Sequence, residues 1–411
     1  MKYQAVSAKA DTFGRWIAIA LGFSIPLSTA LDNILIGLFV VCWMLGAGFP
    51  GKWHAIRSNK IAILSLALFA LFLAGVFNPD APIRDGLKYL NKYKELLLLP
   101  LLIPLFKDTS TRRHGLIGFG AAIALTLVLS YLIHFGLLPW TTMFHAEPGD
   151  PVVFKKHVTQ SLLTALGAFL FAVAARHEAT GWKRTLLWAL AALAVYNVLF
   201  MLQGRIGYLV LAALLIYLGF DWLRWKGMLA GIFACAVVGI VAFHASSGFH
   251  QRMLKAAEEF SGWRQQQVVN VDNSIGLRLE WYKNGLEIVR DHPLFGVGTG
   301  GFPKAYAEKT KGSARLETTN PHNQYLLTAI QIGLPGLALL LYLFYCQFRL
   351  ARALPSVLER NLALGLMLTI SIGCLFNSLL VDHTERVLYA WMSALLYSGL
   401  RPNSENTRIA T

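Results

Sequence analysis

Apolar residues run through this chain in long blocks separated by short polar clusters. The blocks at 61–77, 116–135, 162–175, 228–243 and 362–380 are apolar for about 14 to 20 residues, at or close to the length that crosses a bilayer's hydrocarbon core. Backbone N–H and C=O groups in lipid must bond within their own segment, so the pattern predicts helices. Twelve spans are predicted, beginning near residues 14, 31, 61, 88, 115, 157, 185, 205, 227, 321, 359 and 386. The first two are short and joined tightly at 28–31.

The positions of the basic residues test this count. With the N-terminus in the cytoplasm, the cytoplasmic loops carry Lys52, Arg57 and Lys60; Lys107, Arg112 and Arg113; Arg176, Lys183 and Arg184; Arg224 and Lys226; and Arg349, Arg352 and Arg360. The short loops of the other side carry fewer cations, and Arg84 and Arg386 there have acidic neighbours. This is the positive-inside distribution, and losing or gaining one span breaks it downstream. The chain then divides into residues 1–243 with nine spans, a hydrophilic periplasmic segment 244–320, and residues 321–411 with three spans and a cytoplasmic tail. The fold class is an all-α polytopic membrane protein of about twelve helices, with one large helical periplasmic loop.

Composition agrees. Of 411 residues 55% are hydrophobic and 14% charged, against roughly 25% charged in soluble chains, and mean hydropathy is +0.51. The net charge of +15 does not indicate nucleic acid, because the cations sit between apolar runs and form no single patch. Cys42, Cys235, Cys346 and Cys374 fall in or beside apolar runs without metal-ligand spacing, so no disulfide or zinc framework is expected. Lys2, Lys9 and Arg15 precede an apolar stretch that lacks a small-residue cleavage site at the usual distance, so the first helix is expected to be retained.

Within 244–320, Phe249, Met253, Ala256, Phe260 and Trp263 recur at helical spacing, predicting an amphipathic helix suited to the interface. A second helix is predicted over 277–290, ending before Asp291-His-Pro293. Gly296, Gly298 and Gly301 formally match G-x-G-x-x-G. A dinucleotide site needs a preceding strand and a βαβ unit, and here a helix precedes, so a flexible turn packed on the membrane domain is expected.

Charged groups near membrane depth are the default candidates for function, against the alternative that a basic side chain merely snorkels from a helix end. Arg205 lies in Gln203-Gly-Arg-Ile-Gly207, a tight turn at the outer end of the seventh and eighth spans, where both readings stand. Arg278 lies in Gly276-Leu-Arg-Leu-Glu-Trp-Tyr282 on the second loop helix; an exposed loop arginine is usually just solvated. His322 lies in Thr319-Asn-Pro-His-Asn-Gln-Tyr325. Asn320 suits an N-cap and Pro321 the first helical position, so His322 is expected in the first turn of a helix. The positive helix end disfavours imidazolium, leaving the neutral form a general base needs; a plain capping histidine is the other reading. Two guanidiniums suit a pyrophosphate, which each pairs bidentately. No Asp-x-Asp pair occurs, and Glu258 and Glu259 diverge on a helix, so no metal or other cofactor is expected. The arginines would then stabilise the leaving group.

At these residues the sequence resembles the bacterial O-antigen ligase family, within the O-antigen ligase and polymerase group of membrane glycosyltransferases. The resemblance rests on Gln203-Gly-Arg-Ile-Gly207, on 291–302 (Asp291-His-Pro-Leu-Phe-Gly-Val-Gly-Thr-Gly-Gly-Phe302), on Pro321-His-Asn-Gln-Tyr-Leu326, and on Gly333-Leu-Pro-Gly336. It covers about residues 190–345, and elsewhere rests on span count. It implies a GT-C-like fold in the bacterial inner membrane with its active site facing the periplasm. It also implies transfer of O-antigen polysaccharide from undecaprenyl diphosphate to lipid A–core oligosaccharide, metal-independent and inverting. Carried over by motif, His322 is the general base, and Arg205 and Arg278 hold the diphosphate. Asn323 and Tyr325, in the same element, are further candidates. Asp382, in the last periplasmic turn, matches less tightly and would orient His322 or the acceptor; Arg84 and Lys88 would add phosphate contacts or act only as anchors. The implied partners are the lipid-linked donor, the lipid A–core acceptor and membrane lipids, with no nucleic acid. Within the same group, an O-antigen polymerase or a protein O-oligosaccharyltransferase fits the same residues. A transporter would call for inverted repeats and midplane charges, which the sequence lacks.

Overall fold

The computed structural model describes residues 2–138, 150–177, 179–245, 247–264, 274–311 and 318–400, and every regular element among them is helical. The first helices are α1 (Lys2–Ser24), α2 (Thr29–Leu45), α3 (Phe49–Arg57), α4 (Lys60–Gly75), α5 (Ile83–Leu90), α6 (Glu95–Leu102), α7 (Thr109–His134) and α8 (His157–His177). Then follow α9 (Gly181–Tyr196), α10 (Arg205–Ala245), α11 (Ser247–Arg264), α12 (Ser274–Asp291), α13 (Phe302–Lys309), α14 (Gln324–Ala351), α15 (Val357–Phe376) and α16 (His383–Tyr397).

Six of these are long and apolar enough to cross a membrane: α7, α8, α9 with its π-helical continuation to Met201, α10, α14 and α15. α10 counts as one helix of 41 residues, but Leu223 and Arg224 break it, Arg224 at φ 55. Residues 219 and 227 would lie about 12 Å apart in a straight helix, yet a Cβ built on Gly227 would sit 1.9 Å from the Gly219 carbonyl oxygen. Cys235 Sγ likewise lies 3.9 Å from the Ala212 carbonyl oxygen, 23 residues away. α10 is therefore an antiparallel hairpin whose legs touch through glycine, as two separate spans at 205 and 227 require. The remaining expected spans fall on α1, α2, α4, α6 and α16, which are shorter or more polar, and their crossing rests on the sequence pattern.

The span expected near residue 88 is not one helix. α5 ends at Leu90, a 3-10 turn occupies Asn91–Tyr93, and α6 runs only from Glu95 to Leu102. Asn91, Lys92, Lys94 and Glu95 interrupt the apolar run, and buried Glu95 meets Arg386 Nε at 2.9 Å. That contact docks α6 on α16, the hub of the core. Almost every α16 residue from Thr384 to Tyr397 is buried. Trp391 Nε1 donates to the Ala18 carbonyl at 2.7 Å, and Tyr397 Oη to the Gln347 carbonyl at 2.7 Å. Cys42, Cys346 and Cys374 are buried free thiols, and Cys235, half-buried, is free too.

The glycine-rich 296–301 segment packs on the membrane domain as expected, but as a hydrogen-bonded plug. α14 kinks at Ile332 and Gly333, the latter at φ 71, and Pro335 follows. The kink takes the Leu334 N–H away from its helical acceptor, the Ile330 carbonyl. Leu334 N then donates to the Pro293 carbonyl at 2.8 Å, and the Ile330 carbonyl accepts from Val297 N at 2.8 Å. These two groups are thus satisfied by one segment, as buried backbone requires. Gly296 and Gly333 have positive φ, and a Cβ on either would lie 2.4 Å or less from a carbonyl oxygen of the other strand of this contact.

Candidate functional site

The turn 202–204 is pressed against α8. A Cβ on Gly204 would lie 2.0 Å from Ser161 Oγ, and one on Gly207 2.5 Å from Ser161 Cβ. The glycines that flank Arg205 thus serve close approach, and neither takes a positive φ. This packing leaves Arg205 as the first residue of α10.

α11 clamps the turn from above. Arg252 Nη1 donates to the Leu202 carbonyl at 3.0 Å and also to the Tyr208 hydroxyl. One turn pair further along, buried Glu259 places Oε2 3.5 Å from Arg205 Nη1 and accepts from Ile275 N at 3.1 Å. Glu259 therefore holds Arg205 and caps the start of α12 together. The apolar face expected on this helix is partly used: Phe249 and Met253 line a groove against α10, while Phe260 stays exposed.

α12 presents Arg278, Trp281 and Tyr282, which lie on one face at spacings of three and four. Arg278 lies within electrostatic reach of Arg205, Glu259, Tyr282 and His322. Burial pushes its guanidinium below the ordinary arginine value, and Arg205 adds to this while Tyr282 and Glu259 oppose it. It makes no ion pair or hydrogen bond with a described residue. Among the described residues, Glu259 pairs with Arg205 and reaches Arg278 only through space, so this half-buried spot holds two cations and one paired carboxylate.

His322 is not in the first turn of a helix. Asn323 is the N-cap of α14, its Oδ1 accepting from Leu326 N at 3.0 Å. His322 precedes the cap at φ 53, in the left-handed region. The Asn320 side chain makes a local turn instead of a cap, its Oδ1 accepting from His322 N at 2.9 Å. Such turns are the usual alternative use of asparagine. The Trp281 ring stacks on the imidazole with centroids 5.3 Å apart. Tyr282 Oη lies 3.1 Å from the His322 carbonyl and 3.0 Å from the Leu375 carbonyl, and its one proton is shared between these two acceptors. Burial lowers the His322 pKa, and the hydrogen bond to Asn377 opposes it; Arg278 lowers it further and Asp382 opposes again. The expected direction is present, but its main cause is burial. The Nε2 atom has no hydrogen-bond partner among the described residues.

Asp382, the N-cap residue of α16, does not touch His322 directly. Asn377 stands between them: His322 Nδ1 lies 3.0 Å from Asn377 Oδ1, and Asn377 Nδ2 donates to Asp382 Oδ2 at 2.6 Å. Burial raises the Asp382 pKa, against the influence of His322, Asn377, Lys92 and Arg386.

The remaining candidates lie around this group. Asn323 Nδ2 donates to the Leu375 carbonyl at 3.1 Å, and Tyr325 Oη to the Ser371 carbonyl at 2.9 Å, so both tie α14 to α15. Arg84 and Lys88 are exposed on α5. Lys88 neighbours Lys92, which is itself within electrostatic reach of Asp382. Sequence reading missed Asn377, Glu259, Trp281 and Lys92. The spacing of Trp281 from Arg278 was the one available signal.

Two apolar grooves flank the site and share no lining residue. One, of about 650 Å³, has Arg205 and Tyr208 in its wall and follows both legs of the α10 hairpin. The other, of about 610 Å³, runs between α12, α14 and α15 beside Tyr282 and Asn323.

Residues 189–341 match the sequence model of the O-antigen ligase family. An uncharacterized protein of Haemophilus influenzae is 22% identical over 293 residues, which cover 68% of this chain and 69% of that protein. Arg205, Arg278 and His322 all fall inside the matched segment, whereas Asn377 and Asp382 lie beyond it. The similarity to the O-antigen ligase family thus rests on residues 189–341, the segment that holds these three side chains.

Proposed function

We propose that this protein is an O-antigen ligase of the bacterial inner membrane, working on the periplasmic side. It transfers O-antigen polysaccharide from undecaprenyl diphosphate to a sugar hydroxyl of lipid A–core oligosaccharide. The observation that supports this reading is a neutral-leaning imidazole, its Nε2 without a hydrogen-bond partner among the described residues, in a cleft with two guanidiniums of which only Arg205 has a paired carboxylate there.

The donor diphosphate occupies the space between Arg205 and Arg278 and replaces Glu259 as the counter-charge of Arg205. Its polyprenyl tail follows the apolar groove of the α10 hairpin. The acceptor hydroxyl gives its proton to His322 Nε2 as its oxygen bonds to C1 of the donor sugar. The bond from C1 to the diphosphate oxygen breaks, and its electron pair leaves with undecaprenyl diphosphate. The guanidiniums face the charge that develops there, which is where fixed electrostatic stabilisation is most effective. The anomeric centre inverts in this single displacement. Burial then favours return of the imidazolium to its neutral form.

Lipopolysaccharide profiling of a deletion strain tests the reading. A rough core with long polymer accumulating on undecaprenyl diphosphate is expected. A core carrying a single repeat unit would instead identify a polymerase.

A further inference from the structure

We infer that Asn377 is a positioning residue for the proposed base: its side-chain amide links the Asp382 carboxylate to His322 and holds the imidazole with its proton on Nδ1 and its lone pair on Nε2. This rests on the reading of His322 as the base.

The argument follows from which atoms can donate. An ionised carboxylate only accepts. With Asp382 ionised, the form that Lys92 and Arg386 favour against burial, the Asn377 atom 2.6 Å from Asp382 Oδ2 is Nδ2, whichever way the amide is first drawn. Oδ1 then faces His322 Nδ1 at 3.0 Å. That oxygen only accepts, so Nδ1 carries the proton and Nε2 is left with its lone pair. A carboxylate placed directly on Nδ1 would favour imidazolium strongly. The intervening amide passes on orientation while keeping the full charge one residue away.

The surroundings fix both ends of this chain. Asn320 Oδ1 accepts from His322 N at 2.9 Å and from Ser378 Oγ at 2.7 Å, tying the histidine turn to the asparagine turn. Tyr282 Oη bridges the carbonyls of His322 and Leu375 across the same gap. Trp281 covers one ring face. A positive φ at a non-glycine residue persists only where its surroundings over-determine it, and His322 at φ 53 is so held. Apart from Asp382, the charged group facing His322 is Arg278 on α12. Those facing Asp382 are His322, Lys92, Arg386 and Glu385.

Full-length enzyme reconstituted in lipid, with ¹⁵N-labelled histidine, supplies two readouts. The chain has 11 histidines, so the His322 signal is assigned by its loss in His322→Gln. Wild type is expected to show the Nδ1–H tautomer; an Nε2–H tautomer would overturn the relay whatever the activity. Asn377→Leu should lower kcat by about tenfold or more, within the range general-base assistance supplies, with donor affinity unchanged. Asn377→Asp combined with Asp382→Asn puts the carboxylate against Nδ1 with an amide donor behind it. This pair should keep the tautomer and recover turnover at high pH. Its acidic limb should move up by about one pH unit or more, as an adjacent opposite charge does. A wild-type pH profile in the pair, or wild-type kcat in Asn377→Leu, would remove Asn377 from this role. His322→Ala is run alongside: if it still transfers, the reading of His322 as the base fails, a result separate from the tautomer measurement.

Discussion

Burial is the first influence on His322, and it sets the sign of the pH dependence. A base must be neutral to accept a proton, and the pKa lies below the usual imidazole value of about 6.5. Transfer should stay flat from alkaline pH down through that value and fall only at lower pH; a pH–rate profile whose acidic limb sits above it counts against the assignment. The same shift makes the neutral ring part of the fold's stability. The contribution is complete above the unfolded-state value and is lost as pH falls through the folded one. His322→Ala and His322→Gln should each lower transfer by about 10² to 10⁴, with donor binding and protein level retained. An active His322→Gln would return the residue to a structural role. Arg205→Lys and Arg278→Lys keep charge but lose the planar fork, so each should weaken both donor binding and turnover. Full activity in either would mark that arginine as an anchor. That these three residues lie in one cleft was foreshadowed by motif in each case, and for Arg205 and His322 also by their position at helix ends. Asn377 was not: at the end of an apolar helix an asparagine reads as a terminator, and its partners lie 55 residues back and 5 ahead. Glu259 was weighed only as a metal ligand, since nothing in the chain reveals that it meets both Arg205 and the start of α12.

Periodicity located the helices but not their breaks. A run of apolar residues records that a segment is in lipid or core; a kink depends on what packs against it. The α14 bend is braced by the 293–297 backbone, which supplies an acceptor to Leu334 N and a donor to the Ile330 carbonyl. The sequence shows the glycines but not that their hydrogen bonds are exchanged. Gly333→Ala combines a positive φ with a Cβ 2.2 Å from the Leu294 carbonyl oxygen. It should destabilise by more than about 1 kcal/mol, visible as a lower unfolding midpoint in detergent. An unchanged midpoint would mean the plug does not hold the bend. The same limit explains His322: residues 320–321 looked like a helix start, and the cap moved to Asn323 because Asn320 spends its side chain on His322 and Ser378.

At the level of the whole molecule, the alternation of basic loops predicts that α11 to α13 face the periplasm. A cysteine in place of exposed Lys255 should react with an impermeant maleimide in intact spheroplasts. Reaction only after lysis would invert the orientation. The two flanking grooves carry a consequence for the order of events. They share no wall, and each reaches the membrane-embedded helices beside the same cleft. Under the proposed ligase reaction, this arrangement lets two lipid-anchored reactants enter laterally and be held at once, with the spent carrier returning to the bilayer without crossing the acceptor's path. Initial rates measured over both substrates should give intersecting double-reciprocal lines, the mark of a ternary complex. Parallel lines would instead require a covalent glycosyl-enzyme, and one groove serving each lipid in turn.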